Sequence, residues 1–340
     1  MWELRFAMMA AGLPLELIDQ EYLAHMSSRR VTLLGGSGFV GSQLTYRLAQ
    51  EYDEVVVLTR RSQRVRELRT LPNVHVLEVN VHDAAALNEA VAGSTAVINL
   101  IGILNEGSNK SESSFESAHA GLTQKVLAAC AASGVKRYLH MSALNADAEK
   151  GSSEYLRTKG RAEDLLKSST AGVSWTIFQP SVIFGEHDAF FNMFASLLRA
   201  LPVFPLAVPD ARMAPVFVGD VCKVMIDSID DPSAAGATFR LCGPKDYTLR
   251  ELVQYTADTA GLSRIIIGLP DWAARLQARV MEFVPGKPFS RDNYLSLQTP
   301  SVCGDDCPRQ PTSLDAVVPR YIGARDWAGR LQKRRTAARR

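Results

Sequence analysis

The stretch VTLLGGSGFVG, Val31–Gly41, decides the fold. A short apolar run with strand character ends in Gly35, Gly38 and Gly41, and the chain then takes up a helical period. Glycines so placed permit a tight turn, let the backbone approach a pyrophosphate, and let the helix pack on the strand. The helix N-terminus adds unpaired N–H groups and the positive end of a dipole. The stretch predicts a dinucleotide-binding strand, turn and helix.

Outward from it the pattern repeats. Apolar runs at Val31–Leu34, Val55–Leu58, Val74–Glu78, Ala96–Ile101, Arg137–Met141 and Trp175–Phe178 alternate with helical periods at Ser42–Gln50, Ala84–Val91, Glu116–Ser133 and Tyr155–Ser168. Such alternation is the mark of a parallel sheet covered on both faces, so the fold class is α/β: a doubly wound Rossmann sheet with a smaller C-terminal α/β lobe. The expected division is an N-terminal extension over 1–28 and a dinucleotide-binding domain over 29–184. A substrate or cap lobe covers 185–325, with 216–232 returning to the Rossmann core, and a basic tail covers 326–340. Thr248 and Glu251 form a capping box at the start of a helix in the lobe.

The second strand bears on which dinucleotide binds. An acid about 20 residues past the glycines usually grips the ribose hydroxyls of NAD; here VVVLTRR ends in Thr59, Arg60 and Arg61. A guanidinium suits a 2′-phosphate, so NADP(H) is expected over NAD(H), with Arg60 as its reader.

A third signal is Tyr155-Leu-Arg-Thr-Lys159, with Ser142 thirteen positions before the tyrosine. Tyr and Lys four apart share a helix face. The ammonium can lower the phenol pKa, and the serine hydroxyl can polarise a carbonyl. Ser142, Tyr155 and Lys159 are the candidate catalytic trio for hydride exchange with a carbonyl or alcohol.

The glycine pattern, Asn80 in VLEVNVHD, NLIG at Asn99–Gly102, HMSA at His140–Ala143, YLRTK, QPSVIFG at Gln179–Gly185 and PVFVGDV at Pro215–Val221 together resemble the atypical, extended short-chain dehydrogenase/reductase superfamily. Within it, EYLRTKGRAED, QPSVIFGEHDAFFNMFASLLR and PVFVGDVCK are most similar to the nucleotide-binding accessory-subunit family of respiratory complex I (alpha-subcomplex subunit nine) and its bacterial relatives. The resemblance implies that Gly35, Ser37, Gly38, Phe39 and Gly41 cradle the phosphates, that Thr59 and Arg60 meet the 2′-phosphate, and that Asn80 faces the adenine. It further implies that Leu100, Ile101 and Gly102 line the ribose, that Tyr155 and Lys159 touch the cofactor, and that Pro180, Ser181 and Ile183 approach the nicotinamide. His119 departs from the pattern, standing where many extended relatives place an Asn.

Two functions stand side by side on this resemblance. One is an NAD(P)-dependent oxidoreductase or epimerase-like enzyme acting on a small lipophilic carbonyl, hydroxyl or quinone-related substrate. The other is a non-catalytic, cofactor-bound accessory subunit or assembly factor of a respiratory or quinone-synthesis complex.

Lys and Arg number 38 against 36 Asp and Glu, a formal +2 that argues against a nucleic-acid partner. Eight basic residues against one acid over Arg320–Arg340 concentrate charge in the tail. No apolar window is long enough to span a bilayer, and residues 1–28 carry Glu3, Glu16, Asp19 and Glu21, unlike a secretory signal; with Met26 just before the first strand, residues 1–25 read as an upstream translation artefact or a short surface helix. Over Asp271–Val284 a helical projection gathers Trp272, Ala273, Leu276, Val280, Phe283 and Val284 on one arc flanked by Arg275 and Arg279. The arc and basic tail suggest an anionic membrane surface as partner. The expected location is cytoplasmic, peripheral at the inner face of the cytoplasmic membrane. Phe190, Phe191, Phe194 and Phe204 suit an apolar pocket, a partner surface or plain core packing. Five cysteines, an odd and scattered set, fit a reducing compartment; Cys303 and Cys307 could pair or bind metal, but nothing adjacent completes a site and no metal is expected.

Overall fold

The computed structural model describes residues 29–106, 114–284, 289–304 and 307–323. The N-terminal extension and the basic tail from Arg325 onward lie outside the described residues. Seven strands form one sheet: β1 (Arg30–Leu34), β2 (Glu54–Thr59), β3 (Val74–Glu78), β4 (Ala96–Asn99), β5 (Arg137–Met141), β6 (Ser174–Pro180) and β7 (Thr238–Leu241). Their order is β3-β2-β1-β4-β5-β6-β7, with every pairing parallel. The helices include α1 (Phe39–Glu51), α2 (Ala84–Val91), α3 (Leu122–Ala132) and α4 (Glu154–Lys167). They continue with α5 (Ala189–Ala200), α6 (Val218–Asp230), α7 (Leu249–Thr259), α8 (Asp271–Met281), α9 (Arg291–Ser296) and α10 (Leu314–Ile322).

The alternation of side chains along each strand builds a core on each face of the sheet. Leu33, Val57, Ile98, Leu139 and Phe178 join Leu44 and Leu48 of α1 and Val221 and Met225 of α6. Their sequence neighbours Leu34, Leu58, Val97, Tyr138 and Ile177 pack against Leu87 of α2, Val126 of α3 and Leu166 of α4. Both faces are dry, which is why the strands read as continuous apolar runs.

A third cluster holds α5, α7 and α10 together through Phe191, Phe194, Leu252, Val253 and Val318. Phe191, Phe194 and Phe204 are therefore core residues; Phe194 meets Phe204 edge to face at 6.0 Å. Thr248 and Glu251 make the expected capping box at the start of α7. Cys242, which its sequence position leaves apart, is brought against Cys303 and Cys307. On α8 only Ala274 and Ala278 turn inward, while Trp272, Leu276, Val280 and Phe283 are exposed, Phe283 to 85%. The apolar arc thus faces outward. No helix among the described residues is long and apolar enough to cross a membrane.

Candidate functional site

Strand order reverses between β1 and β4, and in such sheets the crevice beyond the strands' carboxyl ends takes the ligand. A cleft of about 330 Å³ opens there, lined by Gly35, Ser37 and Gly38 after β1, Thr59 and Arg60 after β2, and Leu100, Ile101 and Gly102 after β4. Gly35 has a φ of +82°, a left-handed turn that costs glycine nothing. A Cβ on Gly41 would lie 2.3 Å from the Gly35 carbonyl oxygen, so α1 meets the turn too closely for any side chain. No side chain caps α1 and its first turn holds no acid, leaving its positive end to an anion. This cradle fits a dinucleotide pyrophosphate.

The ends of β4 and β2 are shaped by local bonds. Asn99 ends β4: the Leu100 N–H makes a last bond to the Leu34 carbonyl, and the Asn99 side-chain oxygen then accepts from the Ile101 N–H at 3.0 Å, which turns Ile101 and Gly102 into the cleft. Thr59 donates to the Ser37 hydroxyl at 3.3 Å, tying strand end to glycine turn. Arg60 is exposed at the rim. The carboxylate opposite Thr59, Glu78, accepts from the Ser62 N–H, a bond that holds its pKa down.

The residues taken from the resemblance divide. Asn80 does not line the cleft: its side-chain oxygen accepts from the His82 N–H in a local turn, and Val79, Val81 and His82 line the wall instead. Ser181 is also turned away, donating to the Ser301 carbonyl at 2.7 Å and accepting from the Ala214 N–H. Pro180 closes β6 beside it and Ile183 packs against the sheet core. Phe39 is half-buried and packs on the same core.

The trio sits around the end of β5 and the start of α4, but its members have other partners. The Ser142 hydroxyl donates to Glu163 Oε1 at 2.5 Å; Gln179 donates to the same oxygen and Lys167 to the other. Its hydroxyl hydrogen is thus committed to a carboxylate rather than offered to a carbonyl. Lys159 is buried and donates to the Met141 carbonyl at 2.8 Å; burial lowers its pKa to about 8, against the pull of Glu163. A Cβ on Gly102 would stand 3.0 Å from the Lys159 nitrogen, so the ammonium lies directly behind the cleft wall.

Tyr155 is half-buried, its ring edge-on to His119 at 5.5 Å and to Phe115 at 6.1 Å. Burial, then the charge of Asp292, pushes its pKa up to about 12. That is opposite to the lowering expected from Lys159, and it keeps the phenol protonated as a donor. Asp292 comes from α9 in the C-terminal lobe and accepts from the Glu154 and Tyr155 N–H groups, at 2.7 and 3.2 Å. A carboxylate at a helix N-terminus is stabilising; here it fixes the tyrosine's helix to the lobe.

His119 sits on a π-turn, Ser117–Gly121, of the kind that often marks functional sites. Thr158 donates to backbone carbonyls, so His119 Nδ1–H donates to Thr158 at 2.8 Å while Nε2 accepts from the Ile103 N–H. Burial, with Lys159 beside it, pushes its pKa down to about 2. The ring is a neutral spacer with both nitrogens engaged. Asp292, Glu163 and His82 are the site residues that sequence reasoning passed over. Each lies far along the chain from what it touches, or carried no motif.

A family described as NAD(P)H-binding matches residues 35–189. The chain is 30% identical over 297 residues to the mouse (Mus musculus) mitochondrial NADH dehydrogenase (ubiquinone) 1 alpha subcomplex subunit 9, covering 84% of this chain and 77% of that one. It is 25% identical to a ceramide reductase of Caulobacter vibrioides, over 71% of this chain and 74% of the relative. Among solved structures, the dTDP-glucose 4,6-dehydratase of Streptomyces venezuelae with NAD bound superposes with a TM-score of 0.67 at 20% identity, over 86% of this chain and 95% of that one. That likeness shows a shared fold.

Proposed function

The chain belongs to the family of the alpha-subcomplex subunit 9 of NADH dehydrogenase (ubiquinone), and from that membership we propose that it holds NADP(H) as a subunit of a respiratory NADH:quinone oxidoreductase. One observation supports the reading: Gly35, Ser37, Gly38 and Arg60 line one cleft, while the Ser142 hydroxyl is donated to Glu163. Gly35, Ser37 and Gly38 take the pyrophosphate and Arg60 takes the 2′-phosphate.

The test lies in Arg60. A charge-assisted contact contributes about 1.5–3 kcal/mol, so NADPH binds about tenfold to a hundredfold tighter than NADH. Arg60→Ala removes most of that gap. Equal wild-type affinities at moderate salt end the NADP(H) assignment.

A second reading, a reductase of a lipophilic carbonyl or quinone-related substrate, draws on the protonated phenol of Tyr155, and on the ceramide reductase among the relatives. The nicotinamide supplies the hydride when bound. Tyr155 gives the proton to the substrate oxygen, and Lys159 holds a positive charge behind Gly102. Tyr155→Phe then abolishes turnover with NADPH binding and folding retained. Unchanged turnover would remove Tyr155 from the chemistry.

The outward arc of α8 supports a peripheral membrane position. Trp272 and Phe283 reach the acyl boundary and Arg279 beside them reaches headgroups, while Arg275 is paired with Asp271. Each basic residue near an anionic surface adds about 1 kcal/mol. The protein is expected to sediment with anionic vesicles at low salt, less so as Trp272→Glu and less when residues beyond Ile322 are removed. Equal sedimentation with anionic and zwitterionic vesicles would refute this position.

A further inference from the structure

Three cysteines, one of them remote in sequence from the other two, converge beside the end of β7. Cys242 directly follows β7, and Cys303 and Cys307 stand four apart in the segment before α10. All three are buried, and their Sγ atoms all lie within 4.8 Å of one another. Cys303 Sγ occupies the middle, in contact with both of the others. A sulfur forms one disulfide at a time, so pairing would strand the third thiol against the bond. A thiophilic ion uses all three.

The backbone that carries these sulfurs is fixed without them. The Cys242 carbonyl accepts from the Gln310 N–H at 2.8 Å, and the Cys307 N–H donates to the Gly304 carbonyl. A Cβ on Gly243 would fall 1.8 Å from the Pro215 oxygen, so the chain after Cys242 is pressed against its neighbour. Leu144, Ala214 and Val302 surround the sulfurs with apolar surface. Beside them Arg309 donates to the carbonyls of Gly243 and Cys303, at 3.3 and 3.4 Å, and pairs with Asp246, which also pairs with Arg212.

We infer that Cys242, Cys303 and Cys307 form a metal site for a divalent thiophilic ion of the zinc class. Three protein ligands leave the fourth tetrahedral position to water or an exogenous donor. The charge favours a divalent ion. Three thiolates and a 2+ ion sum to −1, whereas a monovalent ion leaves −2 in an apolar shell, and Arg309, already paired with Asp246, cancels neither. On binding, the thiol protons pass to solvent, including the one that Cys307 gives to the Arg240 carbonyl at 3.3 Å. The ion would staple Cys303 and Cys307 to the end of β7. Ser301 also receives the Ser181 hydroxyl, and Pro300 just before it the Asn145 amide, so the site braces the wall behind β6.

The test is a titration of the full-length protein, reduced with a phosphine and freed of metal, first with Co(II) and then with Zn(II). The expected result is a saturable sulfur-to-cobalt charge-transfer band that Zn(II) bleaches, with a rise in melting temperature on Zn(II) addition. Cys242→Ser and Cys307→Ser each weaken binding by more than about tenfold; Cys222→Ser, in the sheet core, leaves it unchanged. Should a serine variant fail to fold, alkylation of the wild type replaces it: Zn(II) should shield Cys242, Cys303 and Cys307 together. Absence of the band, a band undiminished in Cys242→Ser, or Zn(II) that shields none of the three overturns the site. A stable disulfide that persists under the phosphine, seen by intact mass, also overturns it.

Discussion

Gly41→Ala is expected to cripple both nucleotide binding and stability. The added methyl would sit 2.3 Å from the Gly35 carbonyl oxygen and 2.5 Å from the Gly36 Cα. Both are backbone atoms, so no rotamer relieves the clash; either α1 lifts from β1 or the turn opens. Lifting α1 disturbs Leu44 and Leu48, which are fully buried in the sheet core. Overpacking of this kind costs about 1–3 kcal/mol. Strain of that size, felt in the conformation that receives the pyrophosphate, weakens NADPH binding by about fivefold to more than a hundredfold. For stability, Gly38→Ala is the matched control. Its methyl would meet only the Gly35 oxygen, at 3.3 Å, so a shift of a few tenths of an ångström accommodates it. Thermal melting and NADPH titration of the two variants check the claim; wild-type affinity in Gly41→Ala would mean that the turn does not clamp the nucleotide.

That the turn could be found at all reflects how local its physics is. Gly35, Gly38 and Gly41 act within one strand-to-helix connection, and the strands around them, buried on both faces, announce themselves as apolar runs. The Ala96–Ile101 run shows the limit, because the observed strand stops at Asn99. A side chain bonding two residues ahead turns the chain there, and hydropathy does not register such a bond. The site's other half depends on contacts across the chain. Glu163 takes the Ser142 hydroxyl from one helix away, and Asp292 reaches the start of α4 from 137 residues on. Spacing found Tyr155 and Lys159 but could not show that burial and Asp292 would raise the phenol pKa. The helical projection of Trp272, Leu276, Val280 and Phe283 was likewise correct as an arc and silent on direction, since an apolar face can meet a core or the outside. Cys242 lies 61 residues from Cys303, beyond any motif spacing.

Lys159→Met is expected to stabilise the nucleotide-free protein while destroying its capacity to hold the cofactor. Burial takes the ammonium from a pKa of 10.5 to about 8, which corresponds to roughly 3 kcal/mol of differential interaction. At neutral pH the group is charged in both states and the folded state bears that cost in full. Methionine fills similar space without charge. The Met141 carbonyl, now bonded at 2.8 Å, loses its donor, at about 1–3 kcal/mol, so a net gain of up to about 2 kcal/mol remains. The pH dependence fixes the sign. A lysine with a depressed folded-state pKa binds fewer protons when folded than when unfolded, so wild-type stability rises as pH climbs from about 8 toward 10.5. The advantage of Lys159→Met should be largest below about pH 8 and shrink across that window. Denaturant unfolding of both proteins at neutral and at alkaline pH measures it, with NADPH titration alongside. A variant less stable than wild type by a gap that pH does not change would show that the ammonium is well solvated by its partners. The expected outcome would instead show that the fold keeps a destabilising cation directly behind Gly102 of the cleft wall, where it faces the site of an anionic nucleotide.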